Sequence, residues 1–164
     1  MRRSLFATGL TALVLAGSAA AGLPKAGALV PGHSLGGVRL GETTRAVRAS
    51  LGRSYGTCRG CPRSTWYFTY QPFTQKGLAV EFNRGRVSAV YTLWSPQGWH
   101  GPDGLRFGAT PLTVHDRVGT LRTVACNGYT ALVRDTFQAR TAYLLYAGRL
   151  WGFGLFRRGA DPCR

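Results

Sequence analysis

The sequence predicts an α+β fold: two tandem helix–three-strand repeats, residues 37–94 and 104–164, with antiparallel sheets and with the helices packed on one sheet face. Three observations predict it. The stretch "GVRLGETTRAVRASLG" at residues 37–52 aligns without a gap on "GLRFGATPLTVHDRVG" at residues 104–119. Each stretch reaches a cysteine soon afterwards, Cys58 or Cys126, and then a run rich in aromatic and β-branched residues, "TWYFTY" or "GYTALV". Each then enters two apolar segments separated by Gly-Arg, at Gly85-Arg86 and Gly148-Arg149, which is a β-hairpin signal.

Residues 1–21 read as a secretory signal peptide. Arg2 and Arg3 supply the basic start, "LFATGLTALVLAG" is an apolar core too short for a comfortable span, and Ala19, Ala20 and Ala21 offer a small-residue cleavage site. Residues 22–36 read as a flexible lead-in. In the first repeat Thr43 is the expected N-cap, because its hydroxyl can accept from a free backbone N–H of the first turn. Val47 and Leu51, four apart, form the buried face, and Gly52 ends the helix. The second repeat reads the same way, with Thr110, Val114, Val118 and Gly119, and with Pro111 in the first turn. The turn-rich "SPQGWHGPDG" separates the two, with residues 95–103 as linker.

Alternation sets the hairpin registers. With the first turn at Arg84-Gly85, Phe82 faces Val87, Val80 faces Ala89 and Leu78 faces Tyr91, giving the core face; Glu81, Ser88, Thr92 and Trp94 take the wetter one. In the second hairpin Leu145 faces Leu150, and the opposite face carries Leu144, Trp151, Phe153 and Leu155. That sheet is apolar on both sides, so it is either covered twice or presents a sticky surface.

The chain of 164 residues holds 21 Lys+Arg against 6 Asp+Glu, a formal charge of +15. Such a balance favours anionic partners. The basic residues are scattered singly, without the block of like charges that marks a nucleic-acid tail. Four cysteines in an exported chain read as two disulfides. Self-contained halves favour Cys58–Cys61 with Cys126–Cys163; Cys58–Cys126 with Cys61–Cys163 is the rival pairing. "CRGC" has redox spacing, but it follows a helix and leads into Pro62, whereas a redox pair sits where a strand feeds a helix N-terminus. His33, His100 and His115 show no metal-ligand spacing, so no metal and no cofactor are expected.

Catalytic constellations are scarce. Glu81 and Asp135 are a conceivable carboxylate pair with no supporting spacing. His115 and Asp116 are adjacent on a helix and point apart. His100, beside Trp99 and Asp103 in the linker, is the best local acid–base cluster and supports a small hydrolase only as a minor alternative. No phosphate-cradling loop and no aromatic RNA-binding motif occurs.

The pattern shared by "LGETTRAVRASLG" and "FGATPLTVHDRVG" resembles the SmpA/BamE-like module of bacterial envelope proteins. Two such modules in tandem, exported and with cysteines, resemble the β-lactamase inhibitory protein family. The phrases "TWYFTY", "WSPQGW" and "WGFGL" resemble those of secreted bacterial proteins without an assigned role. Glu42 and Ala109 stand where the family helix usually carries Met. The resemblance implies protein–protein contact through a concave sheet.

The expected function is therefore a secreted or cell-envelope, non-enzymatic protein-binding module, inhibitor-like in the sense the resemblance implies, monomeric, and without a membrane span after signal cleavage. Trp94, Trp99, Trp151 and Phe153 are the expected anchors, with Arg86 and Arg149 on the rim, since Trp and Arg dominate interface energies. The alternative is a basic protein that binds anionic cell-surface polymers or nucleic acid.

Overall fold

The computed structural model describes residues 22–70 and 75–164. The expected signal peptide lies outside the described residues. The chain is mainly β. It begins with three short strands, β1 (Leu29–Val30), β2 (Ser34–Leu35) and β3 (Val38–Arg39), which pair in that order. Helix α1 (Thr44–Leu51) leads to β4 (Gly56–Thr57), β5 (Ser64–Thr69), β6 (Gly77–Asn83) and β7 (Arg86–Leu93). Helix α2 (Pro111–Val118) leads to β8 (Arg122–Cys126), β9 (Tyr129–Asp135), β10 (Ala139–Tyr146) and β11 (Arg149–Arg157).

This corrects the predicted fold class. Four strands follow each helix instead of three. All eight join in a single antiparallel sheet of order β4-β5-β6-β7-β11-β10-β9-β8. The seam between the halves is narrow: β7 and β11 pair through Tyr91 with Gly154, Val90 with Leu155 and Ala89 with Phe156.

Both helices are short and owe their ends to local chemistry. The Thr43 hydroxyl accepts from the Ala46 amide at 3.1 Å, and the Thr110 hydroxyl from the Thr113 amide at 3.2 Å. Gly52 and Gly119 close the helices at φ 86° and 74°, a region an L side chain adopts only under strain. Val47, Leu51, Val114 and Val118 sink into one core with Leu78, Val80, Phe82, Phe153 and Leu155. Helices of eight residues are marginal on their own, so this burial is what holds them.

The expected flexible lead-in is built into the fold. Leu29 and Leu35 are buried, and the Leu29 amide donates to the His100 carbonyl at 2.9 Å. Trp99 explains the arrangement. Its ring packs so closely on the lead-in that a Cβ on Gly36 would lie 2.5 Å from it, and its indole N–H donates to the Tyr70 hydroxyl. Linker and lead-in thus form one layer over the end of the core.

Both hairpins carry a β-bulge that alternation could not show. Phe82 does face Val87, but Val80 faces Val90 and Leu78 faces Thr92, because the register slips between Glu81 and Phe82 and Ser88 becomes the extra residue. Leu145 faces Leu150 as expected, and the slip between Leu144 and Leu145 makes Trp151 the extra residue. One added residue reverses the faces beyond it. Phe153 and Leu155 therefore join the helix-side core, while Leu144, Phe156, Ala89 and Tyr91 share the other face.

That second face is partly covered by residues 158–164, which fold back across it. Cys163 is bonded to Cys126 at the end of β8. The Arg164 guanidinium lies 4.9 Å from the Phe156 ring centre and its Nε donates to Glu81 Oε1 at 2.6 Å. The other disulfide joins Cys58 to Cys61.

Candidate functional site

The part of the second face left open is an apolar groove of about 390 Å³, lined by Lys76, Trp94, Ser95, Tyr146 and Trp151. Trp94 is 57% exposed and Tyr146 60%. The Trp94 and Trp151 rings stand 6.0 Å apart at 54°, forming two walls.

Each tryptophan reaches the groove where the backbone leaves regular strand geometry. Trp151 is the bulged residue of β11. Trp94 and Ser95, just past β7, have φ of 46° and 43°. Two consecutive non-glycine residues in the left-handed region cost about 1–3 kcal/mol each and persist only where the surroundings hold them. Here the hold is the Trp151 carbonyl, which accepts from the Ser95 amide at 3.1 Å and the Ser95 hydroxyl at 2.7 Å. The Thr92 hydroxyl accepts from the Phe153 amide at 2.9 Å, closing the seam beside the bulge. On its far side Trp151 meets Tyr129 edge to face, and its indole N–H is buried without an acceptor among the described residues. An unpaired buried donor costs about 1–3 kcal/mol. Strain and a bulge thus meet at one groove.

The remaining expected anchors lie elsewhere. Trp99 and Phe153 are fully buried core residues and offer nothing to a partner. Arg86 and Arg149 are exposed but do not rim the groove together, because antiparallel β7 and β11 start at opposite ends of the sheet. Each has a structural role: the Arg86 guanidinium donates to the Gly41 carbonyl at 3.2 Å, and Arg149 to the Gly108 carbonyl at 3.3 Å, fixing the loop that enters each helix. Lys76 and Tyr146 were missed. Tyr146 had a signal, two residues from Leu144 on the face already singled out; Lys76 had none.

A second concavity, of about 310 Å³, surrounds the buried Glu81 and is bordered by Tyr67, Tyr91, Arg63, Arg164 and one cysteine of each disulfide. Arg63 donates to Glu81 Oε2 at 3.2 Å and Arg164 to Oε1, so both carboxylate oxygens are engaged. Burial, and next the Glu81 charge, push the Tyr91 hydroxyl far above its ordinary range. Glu81 cannot act with Asp135. Four strand spacings separate β6 from β9, roughly 19 Å, against the roughly 5–9.5 Å between the carboxylates of a glycosidase. Asp135 is instead clamped by Arg140 at 2.6 and 3.0 Å. His100 Nδ1 faces the Gly101 carbonyl at 3.1 Å, and no hydrogen bond joins it to Asp103 among the described residues. His115 lies on α2 beside an open groove between α2 and β8–β9.

No family model matches the chain, and no curated protein matches it. Two solved structures share its fold. One is an extracellular protein containing an SCP domain from Bacillus anthracis str. Ames, with a TM-score of 0.52 and 8% identity, covering 72% of this chain. This chain spans only 44% of that protein's length. The other is a DUF4309 family protein from Bacillus subtilis subsp. subtilis str. 168, with a TM-score of 0.50 and 16% identity, covering 71% of this chain and 79% of that one. At these identities the likeness is one of fold. It overturns the resemblance to SmpA/BamE-like modules and to the β-lactamase inhibitory protein family. The residues that carried that resemblance are helix caps, a buried Val and helix-ending glycines, which any short helix entering a sheet requires.

The two disulfides are those of a chain that folds in an oxidising, extracytoplasmic setting, and an extracellular protein is among the structures of like fold. No helix among the described residues is long and apolar enough to cross a membrane.

Proposed function

We propose that the protein is a secreted or cell-envelope binding module that captures another protein in the groove between Trp94 and Trp151. The observation that carries this reading is the strained Trp94–Ser95 pair, which holds a large apolar ring in solvent at a conformational cost. A fold that needed only a turn would use glycine there. Local rules are broken where function demands it. Two tilted indoles and Tyr146 suit an extended segment bearing an apolar or proline side chain, and Lys76 with the chain's formal charge of +15 favours acidic residues flanking it.

The test is Trp94→Gly. This change removes the ring and relieves the backbone, so the thermal midpoint should hold or rise while saturable capture of a partner from culture fluid falls at least tenfold. Capture equal to that of the wild type would overturn the reading. So would a clear drop in the midpoint, which would make Trp94 a packing residue.

A further inference from the structure

We infer that the outer face of α1 is a second, independent binding surface, and that its ligand is a cell-surface polymer of repeating phosphodiester groups without nucleobases. Arg45, Arg48 and Arg53 line a shallow groove of about 540 Å³ on this face, together with Thr44 and Ala49. All three arginines are exposed. The β6–β7 turn docks against the start of the helix, with the Thr44 amide donating to the Gly85 carbonyl at 3.4 Å.

Of these charges Arg45 opposes the stability of the helix, while Arg48, in its last turn, suits the dipole. Arg45 lies in the first turn, at the positive end of the helix dipole, where acidic residues are favoured and none is present. Arg45 and Arg48 stand three apart, a like-charge spacing that destabilises. Helix α2 has the ordinary arrangement: no base in its first turn, Asp116 on its surface and Arg117 in its last turn. The ion pairs among the described residues engage Arg63, Arg122, Arg140 and Arg164, and none engages the α1 arginines. Arg48 Nε donates to the Tyr55 hydroxyl at 3.0 Å, but no carboxylate neutralises the cluster among the described residues, and a bound polyanion would.

The rings beside the groove decide the class of ligand. Arg48 lies over Trp66 at 4.8 Å and over Tyr55 at 5.7 Å, covering both. The groove therefore offers no free aromatic face for a base to stack on and no apolar anchor for a protein partner. What it offers is a row of planar guanidinium forks, which match phosphate oxygens in pairs. Single exposed ion pairs are weak, so affinity must come from many repeats and the counterions they release.

The experiment titrates the disulfide-bonded full chain with soluble poly(glycerol phosphate), with oligo-dT and with polyglutamate, each of equal charge, at 50 and 200 mM salt. The expected result is preferential binding to poly(glycerol phosphate) that weakens at least tenfold between the two salts. In R45A/R53A the affinity at 50 mM should fall at least tenfold and the salt slope should flatten by about two, one per lost phosphate contact, with the thermal midpoint kept or raised. R106A/R117A, on the α2 side, should bind as the wild type does. Tighter binding of oligo-dT or polyglutamate, no binding at 50 mM salt, or unchanged binding by R45A/R53A would each overturn the inference. Trp94→Gly should leave polymer binding intact, which separates this surface from the aromatic groove.

Discussion

The run from α1 to β7 and the run from α2 to β11 place their elements in the same order and fill the space beneath the helix differently. In the first, Tyr55 stacks on Trp66 at 4.2 Å, Trp66 packs on Phe82 at 4.5 Å, and Arg48 roofs the stack. In the second, strand pairing puts Leu132 in the position of Trp66 and Leu145 in that of Phe82. A groove of about 620 Å³ stays open there, lined by Pro111, His115, Thr130, Leu132 and Leu145 among others. The difference teaches that caps and strand order set the frame, while the aromatic residues decide whether a helix edge is sealed or hollow. The surface chemistry diverges with the filling, being uniformly basic on α1 and mixed on α2.

The sharpest way to break this comparison is to truncate both members of an equivalent pair. Trp66→Ala should cost about 3–5 kcal/mol, as large buried rings do. Leu132→Ala should cost about 2 kcal/mol, the low end for Leu, because its neighbourhood is already open. Chemical denaturation measures both, and equal losses would mean the two sites are packed alike. The disulfides come next. On chain-entropy grounds Cys126–Cys163, spanning 37 residues, stabilises by about 4 kcal/mol, and Cys58–Cys61, spanning 3, by about 2 kcal/mol. Paired Cys→Ser variants compared by thermal unfolding should keep that order.

A smaller effect tests what the two runs share. Thr43→Ala and Thr110→Ala should each cost about 1 kcal/mol, since both hydroxyls cap in the same way. A marked inequality would show that one helix rests on its cap and the other on its packing. The smallest effect concerns the second run alone. The Arg140 guanidinium, aided by Arg122, holds the Asp135 carboxyl below the usual carboxylate range. A depressed folded value means that this contribution is complete above the ordinary carboxylate pKa and is lost as pH falls through the lowered one. Asp135 is partly exposed, so the effect is modest. Asp135→Asn should remove it, leaving the acid limb of a pH–stability profile less steep.

The local punctuation was legible in the sequence. Thr43, Thr110, Gly52 and Gly119 behave as their chemistry requires, and Val47, Leu51, Val114 and Val118 are buried. The failures have two causes: an added residue inside a hairpin, and contacts with residues far away in the chain. Period-two alternation carries no sign of an added residue, so the bulges at Ser88 and Trp151 reversed the faces of Ala89, Tyr91 and Phe153. Trp99 read as a loop aromatic because the lead-in that buries it is some seventy positions away. Of the site, Trp94 and Trp151 were legible as large residues near a hairpin end. The strain that presents Trp94 was not, since nothing in "LWSPQG" requires a left-handed pair.

The seam between β7 and β11 rests on three residue pairs, and residues 158–164 bridge it from outside: the disulfide grips β8 at one edge of the sheet, and the Arg164–Glu81 contact grips β6 beyond the seam. In mechanical terms this is a buckle on a hinge. Without it the seam is held by a few ladder bonds and by the core the two halves share on the helix side. With it, parting them also requires pulling Arg164 off a buried carboxylate, so the sheet bears load as one plate. Amides along the seam should then exchange with solvent at the pace of global unfolding, and much faster once Arg164 is replaced by alanine.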